Sequence, residues 1–123
     1  MSSRLQAHIG GYTGPSYSVE VDSDVKVTYV SERKFYDRHA EMFIPDPGRL
    51  TRLLNSLLTE LDQAVAKEGK TDFFELILDG TSWSIELHHK GRSTKLTGSN
   101  GYPHNWRRIC RIIREIAGGR EFS

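Results

Sequence analysis

From Tyr17 the chain alternates between apolar and polar positions. Tyr17, Val19 and Val21 fall on one side, Ser18 and Glu20 on the other, and Val25, Val27 and Tyr29 resume after Asp22-Ser23-Asp24. Successive side chains of a strand point to opposite faces, so this period of two predicts a hairpin closed by a three-residue turn. Residues 1–16 hold Gly10, Gly11, Gly14, Pro15 and Ser16 without a sustained period and are expected to form a flexible lead-in. Ser31 to Ala40 is polar and receives no assignment, while Met42-Phe43-Ile44 reads as a short strand stopped by Pro45 and Pro47.

The period then changes. Leu50, Leu53, Leu54, Leu57, Leu58 and Leu61 follow helical spacing, with Asp46 as N-cap, Pro47 in the first turn and Gly69 after the end. Further on, Asp79-Gly80 and Lys90-Gly91 are two-residue turn signals that predict a three-stranded meander. Counting from the first turn pairs Leu76 with Trp83 and Phe74 with Ile85; counting from the second pairs Ile85 with Leu96 and Leu87 with Thr94. Phe73, Glu75, Ile77, Ser84, Glu86, His88 and Lys95 then share the opposite face, with Glu86 across from Lys95. A second amphipathic helix begins near Tyr102-Pro103, turns Trp106, Ile109, Cys110, Ile113 and Ile116 inward, and stops at Gly118-Gly119.

The two halves resemble each other. A shift of 56 residues places Pro47 on Pro103, Leu50 on Trp106, Leu53 on Ile109, Leu54 on Cys110 and Leu57 on Ile113, and Val25, Val27 and Tyr29 on Thr81, Trp83 and Ile85. The pattern predicts an α+β fold, an antiparallel meander sheet with two amphipathic helices packed on one face and an internal β-β-β-α duplication. One domain is expected over 17–120, with pseudo-repeats over about 17–68 and 72–119.

Composition narrows the function classes. Apolar residues at 37% and 12 aromatics suit a folded core in a chain of 123 residues. Cys110 is the lone cysteine, which excludes an intrachain disulfide and a cysteine zinc site and points to a reducing, cytoplasmic setting. The first residues lack the apolar run of a secretory signal, and no stretch reaches about 18 apolar residues, so no membrane partner is expected.

Net charge is only +1, but its distribution is uneven. Between Tyr102 and Arg114 stand four arginines and no acid. Arg107, Arg111 and Arg114 recur at i, i+4, i+7 with Arg108 beside them, a basic stripe on the outer side of the second helix. Guanidinium forks suit carboxylate and phosphate alike, which makes these four the candidate partner-binding residues. Gly98, Ser99, Asn100, Gly101 and Tyr102, together with Arg107, form a candidate anion-binding junction, because glycine-rich backbone meets a helix start there. The Gly-Lys-Ser/Thr of a P-loop and the dinucleotide glycine pattern are both missing from it. Phe73 and Ile77, apolar on a wet sheet face, form a candidate homodimer patch.

Catalytic chemistry is not indicated. His8, His39, His88, His89 and His104 lack metal-ligand spacing, no Gly-x-Ser-x-Gly elbow occurs, and Cys110 lies on the apolar stripe of its helix. No catalytic residue, metal or cofactor is assigned, and a non-enzyme is the favoured reading. The expected function is a small non-catalytic intracellular binding protein of inhibitor, immunity or adaptor type that engages an acidic partner, most readily another protein, through the arginine face. The alternatives are a nucleic-acid-binding domain, and a binder or enzyme for a small anionic or nucleotide ligand at Gly98 to Gly101.

Overall fold

A computed structural model of the chain describes residues 3–11, 14–33, 37–76 and 80–123. Seven strands and two helices follow one another as β1 (Arg4–Gly10), β2 (Ser16–Val21), β3 (Val27–Arg33), β4 (Asp37–Phe43), α1 (Pro47–Glu68), β5 (Asp72–Phe74), β6 (Ser82–His89), β7 (Arg92–Ser99) and α2 (Trp106–Ile116). They form a single sheet in the order β4-β3-β2-β1-β6-β7-β5, antiparallel except where β5 runs parallel to β7. The fold is therefore α+β, with one sheet face apolar and the other polar.

The apolar face is built from alternate residues of each strand: Leu5, Ala7 and Ile9, then Tyr17, Val19 and Val21, Val27 and Tyr29, Trp83, Ile85 and Leu87, and Leu96. On α1, Leu50, Leu54, Leu57, Leu58, Leu61 and Ala64 are buried and Leu53 half-buried, so the leucine spacing yields the stripe it predicts. Asp46 caps α1 by accepting from Arg49 N at 2.9 Å, and Gly69 closes it at φ 66, a left-handed value that glycine adopts without strain. On α2, Ile109, Cys110, Ile112, Ile113 and Ile116 are buried. This helix begins at Trp106, three residues after the expected Pro103 start, with Gly118 and Gly119 at positive φ beyond its end.

The hairpin of β6 and β7 has the register counted from Lys90-Gly91: Ile85 pairs with Leu96, Leu87 with Thr94 and Glu86 with Lys95. Lys90 and Gly91 both sit at positive φ, as a two-residue type I′ turn requires. The hairpin of β2 and β3 also forms, but its connection spans residues 22–26, since Val21 pairs with Val27. There the Asp22 carboxylate accepts from Asp24 N and Lys26 N, and Val25 takes φ 66.

Two expectations fail and a third is met in part. Residues 4–10, expected within a flexible lead-in, form β1, which pairs with β2 on one side and β6 on the other. Leu5, Ala7 and Ile9 alternate with Arg4, Gln6 and His8 and are buried, a period of two that the glycine- and proline-rich residues after it obscure. The strand expected at Met42-Phe43-Ile44 starts earlier, at Asp37; being an edge strand, β4 is exposed or half-exposed throughout, so its composition is polar. The pairings of Leu76 with Trp83 and Phe74 with Ile85 do not form, because both sides of β6 are taken by β1 and β7. Instead Phe73 pairs with Gly98, its side chain is buried, and Phe74 and Leu76 are exposed. Asp79 lies outside the described residues.

The 56-residue offset lays β3 and β4 on β6 and β7 in sequence position, each hairpin being followed by a helix. The preceding strands differ, since β2 joins β3 in antiparallel fashion whereas β5 joins β7 in parallel.

Residues 117–123 complete the cover over the β3 and β4 side. Phe122 is fully buried, Tyr29 Oη donates to Glu121 O at 2.7 Å, and Arg114 donates to Phe122 O at 3.2 Å. Arg120 grips Glu41 of β4 through Nε at 2.8 Å and stacks over Phe43, its guanidinium carbon 4.5 Å from the ring centroid. Hydrogen bonding to Arg120 holds the Glu41 carboxyl down at about 2. Phe122→Ala is expected to destabilise the fold by about 3–5 kcal/mol, the usual cost of removing a fully buried phenylalanine. Urea unfolding, read as a lower midpoint at unchanged slope, checks this.

At the far end of the core, His89 joins three elements. Its Nε2 lies 2.6 Å from Asn55 Oδ1 on α1, and its Nδ1 lies 2.6 Å from Ser3 Oγ just before β1. The carboxamide oxygen only accepts, so Nε2 carries the proton and Nδ1 of the neutral ring accepts from Ser3. Burial, and then the nearby Lys90, push the imidazole below its ordinary value. In the unfolded chain the ring takes up a proton as pH falls below about 6.5, while in the fold it resists, so stability is lost in that direction. His89→Gln is expected to flatten this part of the stability profile between about pH 6.5 and 5, as measured by urea midpoints across that range.

Candidate functional site

Burying Ile109, Ile113 and Ile116 turns Arg107, Arg108 and Arg111 to solvent and leaves Arg114 half-buried. The four guanidinium groups then divide by what stands opposite. Arg108 reaches α1 and donates from Nε to Glu60 Oε1 at 3.1 Å. Arg114 turns toward residues 120–122, where it bonds the Phe122 carbonyl. Among the described residues, Arg107 and Arg111 have no hydrogen bond or ion pair within 4.0 Å. The expected stripe of four is thus two free cations at i, i+4 flanked by two that hold the fold together.

Glu60 is a junction between the helices. Its carboxylate and its main-chain carbonyl both accept from the buried Asn105 carboxamide, at 2.9 and 2.8 Å, next to the Arg108 contact. Burial works against the charged form of Glu60, but the hydrogen bonds from Asn105 and Arg108 outweigh it and hold the carboxyl below its usual value. This ties the first turn of α2 to the middle of α1 and sets the direction in which Arg107 and Arg111 project.

Beside that first turn runs a file of aromatic rings. Phe73 stacks on Trp83 at 6.0 Å, Trp83 meets Trp106 at 4.4 Å, and Trp106 meets Tyr102 at 5.2 Å, measured between centroids. The file passes from the core to Tyr102, which is 41% exposed next to α2. Phe73, expected on an outer dimer patch, is an inner member of it; Ile77 lies outside the described residues.

The junction from Gly98 to Gly101 serves this file. Gly98 and Ser99 belong to β7, not to a loop. A Cβ on Gly98 would overlap the Trp83 indole, and one on Gly101 would come within 2.9 Å of the Phe73 backbone. Trp83 Nε1 donates to Gly101 O at 2.8 Å. Asn100, at φ 58, donates from its N–H to Thr81 O at 2.8 Å and accepts from Thr81 N on Oδ1 at 3.0 Å. Close packing against two aromatic residues thus accounts for the glycines, and the Asn100 N–H is committed inside the fold.

Pairing of β6 with β7 also creates a contact that sequence reasoning did not find. His88 faces Ser93, whose Oγ lies 2.6 Å from Nδ1, while His88 Nε2 lies 2.8 Å from Glu86 Oε2. Glu86 and His88 line a shallow cavity of about 290 Å³ on the polar sheet face with Arg4, Gln6, Glu20 and Asp22. The i, i+2 spacing of Glu86 and His88 was the available signal; the Ser93 partner needed the register. Among the described residues, no group of three or more His, Cys, Asp or Glu side chains forms a metal site, and no helix is long and apolar enough to cross a membrane.

No protein-family model matches the sequence, and no curated protein is significantly similar to it.

Cys110 lies on the buried side of α2, where burial pushes its thiol up to about 12. Alkylation by iodoacetamide at pH 8 is therefore expected to be slower than that of a free thiol by at least about a hundredfold and to recover in urea, as followed by mass spectrometry.

Proposed function

We propose that this protein is a small non-catalytic binding protein, of inhibitor, immunity or adaptor type, working in the cytoplasm and engaging an acidic surface of another protein through Arg107 and Arg111. One observation carries the reading: two guanidinium groups four residues apart stand exposed and uncommitted on a helix whose other side is locked into the core. A cation with an internal partner must give it up to bind, whereas these two lose only hydration and rotamer freedom. The rigid helix beneath them reduces the ordering cost of docking, and their planar forks match carboxylates in bidentate fashion. Arg108 and Arg114 act here as supports of that face.

A second reading rests on Tyr102. Its exposed ring, packed on Trp106 beside Arg107, offers a base-stacking surface next to cations, a pairing typical of single-stranded nucleic-acid sites. Salt separates the two readings. Phosphate contacts make affinity fall steeply between about 50 and 200 mM salt, whereas two rim arginines against carboxylates give a shallower dependence.

With the partner identified by co-purification from source cells and then purified, Arg107→Glu/Arg111→Glu is expected to weaken binding by at least about thirtyfold, or 2 kcal/mol. The thermal midpoint should stay within about 2 °C of the parent, because both side chains are exposed and hold no internal ion pair among the described residues. Equal binding by the parent and the double variant at matched salt overturns the assignment of this face.

A further inference from the structure

The sheet ends in two unequal edges. β5 is three residues long, whereas β4 presents seven residues, each paired in continuous register with β3 on one side and, among the described residues, with no strand on the other. Edges in monomers are normally blunted by charged side chains, proline or a bulge; β4 has no proline and no bulge, and its charged residues, Asp37, Arg38 and Glu41, oppose no like charge in one self-pairing register. Met42 and, just beyond the strand, Ile44 stand 64% and 71% exposed there.

We propose that the protein self-associates through β4, two copies pairing antiparallel about a two-fold axis at Ala40 so that their sheets merge into one. Overlap and charge together select this arrangement: axes at Met42 or Phe43 leave at least four of the seven residues unpaired, and those at Asp37, Arg38, His39 or Glu41 oppose like charges. An axis perpendicular to the sheet keeps the helices of both copies on one side and brings inner-face residues opposite inner-face residues. With the axis at His39, Asp37 would oppose Glu41 of the other copy; with the axis at Glu41, the two Glu41 carboxylates would meet; with the axis at Arg38, the two Arg38 side chains would. Like charges directly opposite destabilise a strand pair.

With the axis at Ala40 the whole of β4 overlaps: Ala40 meets Ala40, Arg38 meets Met42, Asp37 meets Phe43, and each His39 meets a Glu41 carboxylate. Glu41 already gathers His39 at 3.2 Å and Arg120 at 2.8 Å in its own chain, and a carboxylate has room for about four such contacts. One strand pair covers less area than a standard interface, so association in the range of about 1–100 µM is expected. This surface is separate from the α2 face, and the proposal does not depend on the function proposed above.

Sedimentation equilibrium of the whole chain from roughly 1 to 500 µM should show a monomer–dimer equilibrium in that affinity range. Ala40→Lys, which places two like charges at the axis on an exposed position, should shift the midpoint at least about tenfold toward monomer while leaving the melting temperature of the monomer, measured below about 1 µM, unchanged. Ala40→Cys should form a disulfide-linked dimer under mild oxidation faster than a Gln63→Cys control on α1. Directly opposed residues lie about 4.5–5.5 Å apart between Cα atoms, within disulfide range, and the buried Cys110 stays out of the reaction. A monomer over the whole range, a dimer indifferent to Ala40→Lys, or equal cross-linking by the two cysteine variants overturns the proposal. Arg107→Glu/Arg111→Glu should dimerise like the parent, which keeps this test apart from that of the α2 face.

Discussion

Seven strands at a spacing of about 4.8 Å make a sheet roughly 29 Å across, while two helices packed side by side cover only about 20 Å. The sheet has an apolar face along most of that width, so something besides helix must shield it. α1 meets β6 and β7, α2 lies against α1, and the strip near β3 and β4 falls to residues 117–123. Phe122 enters the core there, Arg120 holds Glu41 and covers Phe43, and the Tyr29 hydroxyl caps the Glu121 carbonyl. This shortage of helical cover explains why a segment with only one large apolar side chain is so firmly attached.

The same constraint divides the arginines. Where α2 faces α1 or residues 120–122, its cations are drawn into contacts that join these elements, as with Arg108 on Glu60 and Arg114 on a main-chain carbonyl. Where it faces neither, Arg107 and Arg111 remain in water. The division follows from angular position on one helix: Arg107 and Arg111 are four residues apart on the side away from both neighbours. A basic stripe in a sequence is thus a mixture of structural and available charge, and only the neighbours of the helix sort one from the other.

The polar sheet face and the edges follow a different logic. Strand pairing leaves Glu86, His88, Ser93 and Lys95 to contact one another along β6 and across to β7, which satisfies them without creating a deep cleft. Among the described residues, no strand pairs with the outer side of β4. Chemistry that could be directed outward is therefore concentrated at the margins of the sheet and on one helix, not in its interior.

Much of the local architecture was legible from period alone. The leucine spacing from Leu50 to Leu61 and the isoleucine spacing from Ile109 to Ile116 specify helices with one buried side, and Lys90-Gly91 specifies the register of β6 with β7, because each is decided by residues near one another in the chain. The alternation of Leu5, Ala7 and Ile9 with Arg4, Gln6 and His8 marks a strand, but the central place of β1 was not legible, since it is set by pairing with β2 and with β6, the latter some eighty residues away. Nor was the inward turn of Phe73, which depends on β5 joining the far side of β7 in parallel once β6 has no edge left to offer. Sequence could place four arginines on the outer half of a helix. Only tertiary packing could decide that two of them are held by Glu60 and the Phe122 carbonyl, since those partners lie on other segments and hydrogen bonds act over about 3 Å of space, not over distance along the chain.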